Sequence, residues 1–277
     1  MRLNIFSKIT NLKLFIPRIY NGIFIKIPLQ DNNKVGISNE PWMYDFIKKS
    51  HSIKRIKNFY DVGANLGQTL VKVKTVDKDI HYHAFEPNYL CSNYLHKLIN
   101  INNWKNVSVY PIGIFDRDSL QYLEGKDDCD KSASIMLDCA ETTSIVKKIT
   151  SFYTYDTIKK FIGEEIVDVI KIDTEGSELE VIRSFNNLLK KDSPLVFIEI
   201  LKFQETNKKN ITRDKELCLY IKELDYSIFR IKKDSRNHFE TLIKVEDVGT
   251  YNDNIHADHV LIKNSKINIY KNLITDR

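Results

Sequence analysis

The sequence predicts an α/β fold: a mostly parallel sheet with helices on both faces and an antiparallel late strand. Two observations carry this expectation. Short apolar runs at residues 59–62, 80–85, 107–110, 167–172 and 195–200 alternate with stretches of helical periodicity. Glycines also follow those runs closely: Gly63, Gly67, Gly113 and Gly176 fall behind predicted strands, where the backbone must turn sharply or approach a ligand. Strands alternating with helices of this length imply parallel pairing and right-handed crossovers. In such sheets ligands bind beyond the carboxyl ends of the strands, so the residues just after each run are the ones to inspect.

The first helix is read from Leu70, Val73 and Val76, the second from Leu90, Tyr94 and Leu98, and the third from Leu179, Ile182, Phe185 and Leu189. Asn88 and Thr212 are candidate N-caps, and Ser177 with Glu180 has the spacing of a capping box. Trp42, after Glu40 and Pro41, opens a further helix over residues 44–49, expected to pack onto the first strand. From residue 117 to 152 the alternation breaks down around possible short strands at 120–123 and 134–137, which predicts an insertion over the carboxyl edge of the sheet. Residues 228–231 and 260–262 are the late strands. The expected organisation is an N-terminal helical extension at 1–57, a main domain at 58–264 and a C-terminal tail at 265–277.

Composition removes several classes of function. The 277 residues are 42% hydrophobic and carry a net charge of +5 spread along the chain, too mild to argue for nucleic acid. No apolar run approaches the roughly 18 residues of a membrane-spanning helix. Cys91, Cys129, Cys139 and Cys218 form no C-x-x-C pair and are read as free thiols in a reducing, cytoplasmic setting. The N-terminal stretch interleaves Arg2, Lys8, Lys13 and Arg18 with Ile5, Phe6, Ile9, Leu12, Phe15, Ile16 and Ile19. It lacks the unbroken apolar core of a signal peptide and reads as a basic amphipathic helix, packed on the main domain or in peripheral contact with an anionic membrane.

Chemistry concentrates at three strand ends. Asp61-Val62-Gly63-Ala64-Asn65-Leu66-Gly67-Gln68 runs from a strand through a glycine turn into a helix, where free amides favour an anionic group. Glu86, before Pro87 at the end of the next strand, can accept the hydroxyls of a ribose. Asn65 replaces the second glycine of a dinucleotide loop, and Asp61 would repel a pyrophosphate but attract an ammonium. The loop therefore suits a ligand with both a carboxylate and an amine, such as the methionine part of S-adenosylmethionine. The third signal, Lys171-Ile172-Asp173-Thr174-Glu175-Gly176-Ser177-Glu178, gathers acids where an acceptor should lie. Asp173 ends an apolar strand and would be costly there without a partner. A divalent metal on these acids is the competing idea, and no metal is expected. Glu178 has two readings, a first-turn dipole partner or a functional acid. His81 and His83, and the pair His256 and His259, are read as ordinary structure.

These pieces, together with Phe197-Ile198-Glu199, resemble the FkbM-type S-adenosylmethionine-dependent methyltransferases over roughly residues 58–205. The resemblance implies a Rossmann-like class I methyltransferase fold and methylation of a hydroxyl, often on a sugar or a polyketide; the expected acceptor is a saccharide or glycan precursor. The expected cofactor contacts are Asp61, Gly63, Asn65, Gly67, Gln68, Glu86, Pro87 and Asp173, with Gly113 and Asp116 as candidates for the adenine side. Asp173, Glu175 and Glu199 are the candidates for proton abstraction or acceptor binding.

Overall fold

The computed structural model describes residues 15–29, 40–125, 134–135, 146–200, 208–248 and 257–275. The chain begins with a hairpin, β1 (Phe15–Tyr20) and β2 (Ile23–Pro28), then helix α1 (Pro41–Ile53). Two strand–helix steps and a further strand follow: β3 (Asn58–Val62) and α2 (Gln68–Val76), β4 (His81–Phe85) and α3 (Tyr89–Asn102), then β5 (Val107–Tyr110). A second sheet interrupts them, built from β6 (Gly113–Ile114), β7 (Ser119–Gly125), β8 (Ser134–Ile135) and β9 (Val146–Tyr153). The alternation resumes with α4 (Tyr155–Ile162), β10 (Val169–Ile172), α5 (Glu178–Ser184), α6 (Asn186–Lys191) and β11 (Leu195–Glu199). Helix α7 (Lys208–Glu223), β12 (Tyr226–Lys233), β13 (Phe239–Val245), β14 (Asp258–Lys263) and a 3-10 helix (Asn264–Leu273) complete the chain.

The main sheet has eight strands in the order β13-β12-β14-β11-β10-β3-β4-β5. Strands β11, β10, β3, β4 and β5 are parallel to one another, and β14 runs antiparallel to both β11 and β12. From β3 the chain steps outward to β4 and β5, then returns on the other side as β10. That reversal opens a crevice beyond the carboxyl ends of β3 and β10, the usual ligand position in open α/β sheets.

Side chains alternate across this sheet, so each strand feeds two hydrophobic clusters. Phe59 packs into the one containing Trp42, Phe46, Leu70 and Leu98, while Tyr60 and Val62 join the other with Ile170, Ile182 and Phe185. Helix α1 inserts Phe46 edge-on against Phe197, with ring centroids 5.2 Å apart, and against Phe239 at 4.9 Å. Tyr270 and Leu273 of the 3-10 helix belong to that same cluster. The segments on either side of residues 58–264 thus share the main domain's core.

Three local expectations differ from what forms. Of the N-terminal stretch read as a helix, residues 15–20 are a strand paired with β2, because β-branched and aromatic residues around the Asn21–Gly22 turn favour a hairpin; residues 2–14 lie outside the described residues. Thr212 sits inside α7 rather than at its start. Ser177 precedes α5 without a side-chain cap bond, and Glu180, the other half of the expected box, is engaged by Arg213, which donates to both its carboxylate oxygens at 2.8 and 2.7 Å. Asn88, by contrast, caps α3 by accepting from the Leu90 amide. The inserted sheet begins at β6, ahead of residue 117.

Candidate active site

The site starts where β3 ends. Gly63 has φ +81°, and a Cβ there would stand 1.9 Å from the carbonyl oxygen of Asp173. Only glycine therefore lets the ends of β3 and β10 lie side by side. The amides of Gly63 and Ala64 both donate to the Phe85 carbonyl, at 2.9 and 3.3 Å, which ties the turn to the end of β4. Asn65 follows at φ +48°, and its amide donates to Glu86 Oε2 at 2.7 Å. The other oxygen, Oε1, accepts from the Asn88 amide at 2.8 Å. Burial pushes the Glu86 carboxyl up to about 7, against the downward pull of those two backbone bonds.

Next to this turn lies a buried ionic group. Lys171 stands opposite Asp61 in the β10–β3 register. Its ammonium lies 3.3 Å from Asp61 Oδ1 and 3.0 Å from Asp173 Oδ2, and donates to the Gly63 carbonyl at 3.1 Å. The Tyr82 hydroxyl also donates to Asp61. Burial alone would lower the Lys171 pKa, but Asp173 and Asp61 outweigh it and raise it above the ordinary lysine value, so Lys171 stays charged. Asp61 itself is pushed upward by burial, with Lys171 and Tyr82 opposing.

A cleft of about 650 Å³ opens over these turns. Gly63, Asn65, Glu86 and Pro87 form one wall, Gly113 and Ile114 of β6 another, and Asp173, Thr174, Glu175 and Ser177 a third. The inserted sheet adds Leu123 and Phe152. Phe152 packs so close over Gly113 that a Cβ there would meet its ring at 2.1 Å. Glu175 holds φ +55°, an uncommon conformation for a side-chain-bearing residue. Glu178 turns back instead of facing the cleft: its Oε1 accepts from Thr174 Oγ1 at 3.1 Å and from the Gly176 amide at 2.9 Å, shaping the loop that presents Asp173 and Glu175.

Seven of the expected site residues meet at this cleft: Gly63, Asn65, Glu86, Pro87, Gly113, Asp173 and Glu175. Five do not form its wall. Asp61 is fully buried and its cation is Lys171, so it braces the turn rather than facing a ligand's ammonium. Gly67 (φ +88°) serves packing, since a Cβ there would lie 2.8 Å from Leu95 and 2.9 Å from Leu98. Gln68 opens α2 behind the turn. Asp116 lies past Phe115, 3.7 Å from Arg117.

Glu199 joins a separate group in which carboxylate oxygens of Glu40, Glu199 and Asp258 lie within 4.8 Å of one another. Two of those acids are already ion-paired, Glu40 with Lys72 at 3.4 Å and Asp258 with Lys233. Burial, then the charges of Asp173, Asp258 and Glu40, push the Glu199 carboxyl up to about 9, which makes it a donor and not a base at neutral pH. The histidines keep ordinary roles where described: His83 Nδ1 lies 3.2 Å from the Tyr110 hydroxyl, and His259 Nδ1 lies 2.9 Å from the Ala257 carbonyl. His256 falls outside the described residues.

Sequence reasoning overlooked Asn88, Thr174, Ser177, Phe152 and the bridging role of Lys171. A lysine inside the apolar strand Val169–Ile172 is itself a signal, because a buried ammonium requires acidic partners. Phe152 gave none, since its place depends on how the inserted sheet folds over the cleft.

Residues 61–228, about three-fifths of the chain, match the family described as the methyltransferase FkbM domain. The chain belongs to the FkbM methyltransferase family. Among solved structures it is similar to the methyltransferase FkbM of Methylobacillus flagellatus KT, with 16% identity and a TM-score of 0.47 over 75% of this chain and 43% of that one. This FkbM-family chain thus spans under half the length of that relative. It is also similar to a putative caffeoyl-CoA O-methyltransferase from Staphylococcus aureus (13% identity, TM-score 0.46, 86% of each chain). A third similar structure is an O-methyltransferase from Bacillus cereus in complex with SAH (11% identity, TM-score 0.46, 86% of this chain and 84% of that one). Among curated proteins none matches. The strand order, six strands of one direction (β12, β11, β10, β3, β4 and β5) with β14 inserted antiparallel between β11 and β12, is that of Rossmann-like class I methyltransferases.

The cofactor of this family is S-adenosylmethionine, and the donor set fits it. Glu86 brings a buried carboxylate to the cleft for a ribose, Gly63 and Asn65 line it where an amino acid would lie, and the β6 residues Gly113 and Ile114 line it for a flat ring. When bound, that cofactor supplies a methyl group already activated by a positive sulfur.

Proposed function

We propose that this protein transfers a methyl group from S-adenosylmethionine to a hydroxyl of a saccharide or glycan precursor. The observation that carries the cofactor side of this reading is the charge of the cleft. Its described wall holds three carboxylates, Glu86, Asp173 and Glu175, and neither lysine nor arginine. Lys171 stands behind Asp173, engaged with Asp61 and the Gly63 carbonyl. Such a wall attracts a sulfonium and an ammonium and repels the pyrophosphate of a nicotinamide dinucleotide, the competing ligand for a Rossmann-like sheet.

For the acceptor, the chain's own residues supply two things. Asp173 accepts from Lys171 through Oδ2, leaving Oδ1 to take a proton from an acceptor hydroxyl. Thr174, Glu175 and Ser177 surround it with hydrogen-bonding groups of the kind that orient a polyol. The saccharide class rests on the family's habits, and these polar groups are compatible with it. A glycan-binding protein that keeps the fold without turnover is the remaining alternative.

Incubation with S-adenosylmethionine carrying a labelled methyl group and a glycan-precursor pool tests the assignment. Label in an ether linkage on the sugar is the expected result. Label elsewhere, or none despite cofactor binding, removes the saccharide reading. Calorimetric titration with S-adenosylmethionine and with NAD tests the charge argument, and binding of NAD alone would overturn it. Turnover is expected to persist in excess chelator, because Lys72 and Lys233 already neutralise two acids of the Glu40–Glu199–Asp258 group.

A further inference from the structure

Lys171 is the one described cation in contact with both halves of the cleft. It emerges from the middle of the sheet with a side chain only 7% exposed, and its ammonium makes three contacts to three pieces of the site. The Gly63 carbonyl (3.1 Å) belongs to the turn on the cofactor side. Asp173 Oδ2 (3.0 Å) belongs to the acceptor side. Asp61 Oδ1 (3.3 Å) is fully buried and lies off the cleft wall. A lysine needed only to neutralise Asp61 would have no reason to sit within bonding reach of a carbonyl and a second carboxylate. Its ammonium thus has three oxygens within 3.3 Å, the Gly63 carbonyl as a hydrogen-bond acceptor and the two carboxylates as ion-pair partners.

We propose that Lys171 is a positioning residue that holds the cofactor turn at Gly63 and the carboxylate of Asp173 in fixed register. The two strand ends meet here without a side chain between them, since any Cβ at Gly63 would collide with the Asp173 carbonyl. Backbone pairing, with the Asp173 amide donating to the Val62 carbonyl at 3.1 Å, sets their spacing. The Asp173 carboxylate, a third exposed, could still rotate freely. Lys171 removes that freedom and directs one oxygen inward, which leaves the other for a ligand. This inference rests on the reading of the cleft as a methyltransferase site.

Binding measurements separate positioning from simple charge neutralisation, and they need no knowledge of the acceptor. Lys171→Arg keeps a positive charge beside Asp61, but its planar fork cannot reproduce three divergent contacts. Asp61→Asn/Lys171→Met removes both buried charges together, and is compared with Asp61→Asn alone. Each variant is titrated with S-adenosylmethionine and with S-adenosylhomocysteine, which differ by one methyl group and one positive charge, and its melting temperature is recorded.

If Lys171 positions the site, the Arg variant melts within a few degrees of the wild type, yet binds S-adenosylhomocysteine about tenfold more weakly, the scale of one hydrogen bond to a charged group. The ratio of affinities for the two ligands also shifts, roughly threefold or more, because Asp173 no longer keeps its orientation. The double variant shows the same losses relative to Asp61→Asn. Unchanged affinity and an unchanged ratio in both variants would overturn the proposal and leave Lys171 a neutralising residue. A wild-type protein that binds NAD and neither adenosyl ligand would instead overturn the methyltransferase reading, an outcome that these variants do not mimic.

Discussion

The amide of Asn65 donates to Oε2 of Glu86 at 2.7 Å, and this bond fastens the first turn of the sheet to the end of the neighbouring strand. Glu86 therefore has two tasks. It holds Asn65 in its left-handed conformation and, through Oε1, the start of α3 at Asn88. It also presents the remaining lone pairs of a buried carboxylate to the cleft. Structural and binding roles meet in a single charge, whose ionisation falls near neutrality.

That coincidence predicts a pH-dependent cofactor affinity. Burial raises the Glu86 carboxyl to about 7, above its value in an unfolded chain. The folded protein thus binds this proton more tightly. Its contribution to stability is present below the unfolded pKa and is lost as pH rises through about 7. Ribose hydroxyls donate to the ionised form, so affinity for S-adenosylhomocysteine should run the other way, rising with pH between about 6 and 8. Calorimetry across that range checks it. Glu86→Gln should flatten the profile and weaken binding by roughly tenfold or more, since an amide has a single accepting oxygen and its NH2 can only donate. A pH-independent wild type would remove Glu86 from the binding site.

Gly63 and Gly22 offer a controlled comparison. Both have φ +81°, but a Cβ at Gly22 meets nothing within 4 Å, whereas one at Gly63 lands 1.9 Å from a backbone oxygen. Gly22→Ala should cost about 1–2 kcal/mol, the price of a left-handed alanine. Gly63→Ala should cost at least twice as much, because β3 and β10 must separate to admit it. Urea denaturation of the two variants provides the test, and equal costs would mean that the strand ends are not locked together.

Most of the sheet was legible because its strands are apolar runs followed by turns, and buried parallel strands leave that mark directly. Strand β13 (Phe239–Val245) escaped, as only Phe239, Leu242 and Val245 of this edge strand are buried and its sequence shows no continuous apolar run. The hairpin at residues 15–28 was misread as helix because apolar and basic residues recur at spacings that suit either form, and the Asn21–Gly22 turn decides the matter. At the site, the sequence identified which strand ends matter. It could not distribute the acids among roles, because that depends on which carboxylate meets which cation. Asp61 and Asp173 share Lys171, Glu178 spends its oxygens on its own loop, and Glu199 has drifted to Glu40 and Asp258. Proximity of this kind is a tertiary fact without a local signature.

Glu199 gives a prediction about stability rather than binding. Its carboxyl is raised to about 9, chiefly by burial and then by Asp173. A raised acid stabilises the fold below its unfolded pKa, and that contribution is lost as pH climbs toward 9. The wild type should therefore lose stability relative to Glu199→Gln between about pH 5 and 9, at no more than about 1.4 kcal/mol per pH unit, the ceiling for one proton. Parallel thermal melts of the two proteins over that interval measure the difference. A constant difference would mean that Glu199 is ionised in the fold.

Asp173→Asn divides binding from chemistry. The asparagine keeps the shape of the side chain and can still accept from Lys171 through its carbonyl oxygen, but it cannot take a proton from an acceptor hydroxyl. The Gly63–Asn65 turn, Glu86 and the β6 wall are untouched, so the affinity for S-adenosylhomocysteine should stay within about threefold, the scatter expected of a neighbouring neutral change. Methyl transfer should fall by about 10²- to 10⁴-fold, the usual contribution of a positioned general base. The loss should appear in kcat more than in the KM for the methyl donor, because the missing interaction acts on the acceptor's proton. Turnover near the wild-type rate would show that another group, with Glu175 the next along the wall, accepts that proton. A large loss of cofactor affinity with turnover otherwise intact would instead make Asp173 a binding residue alone.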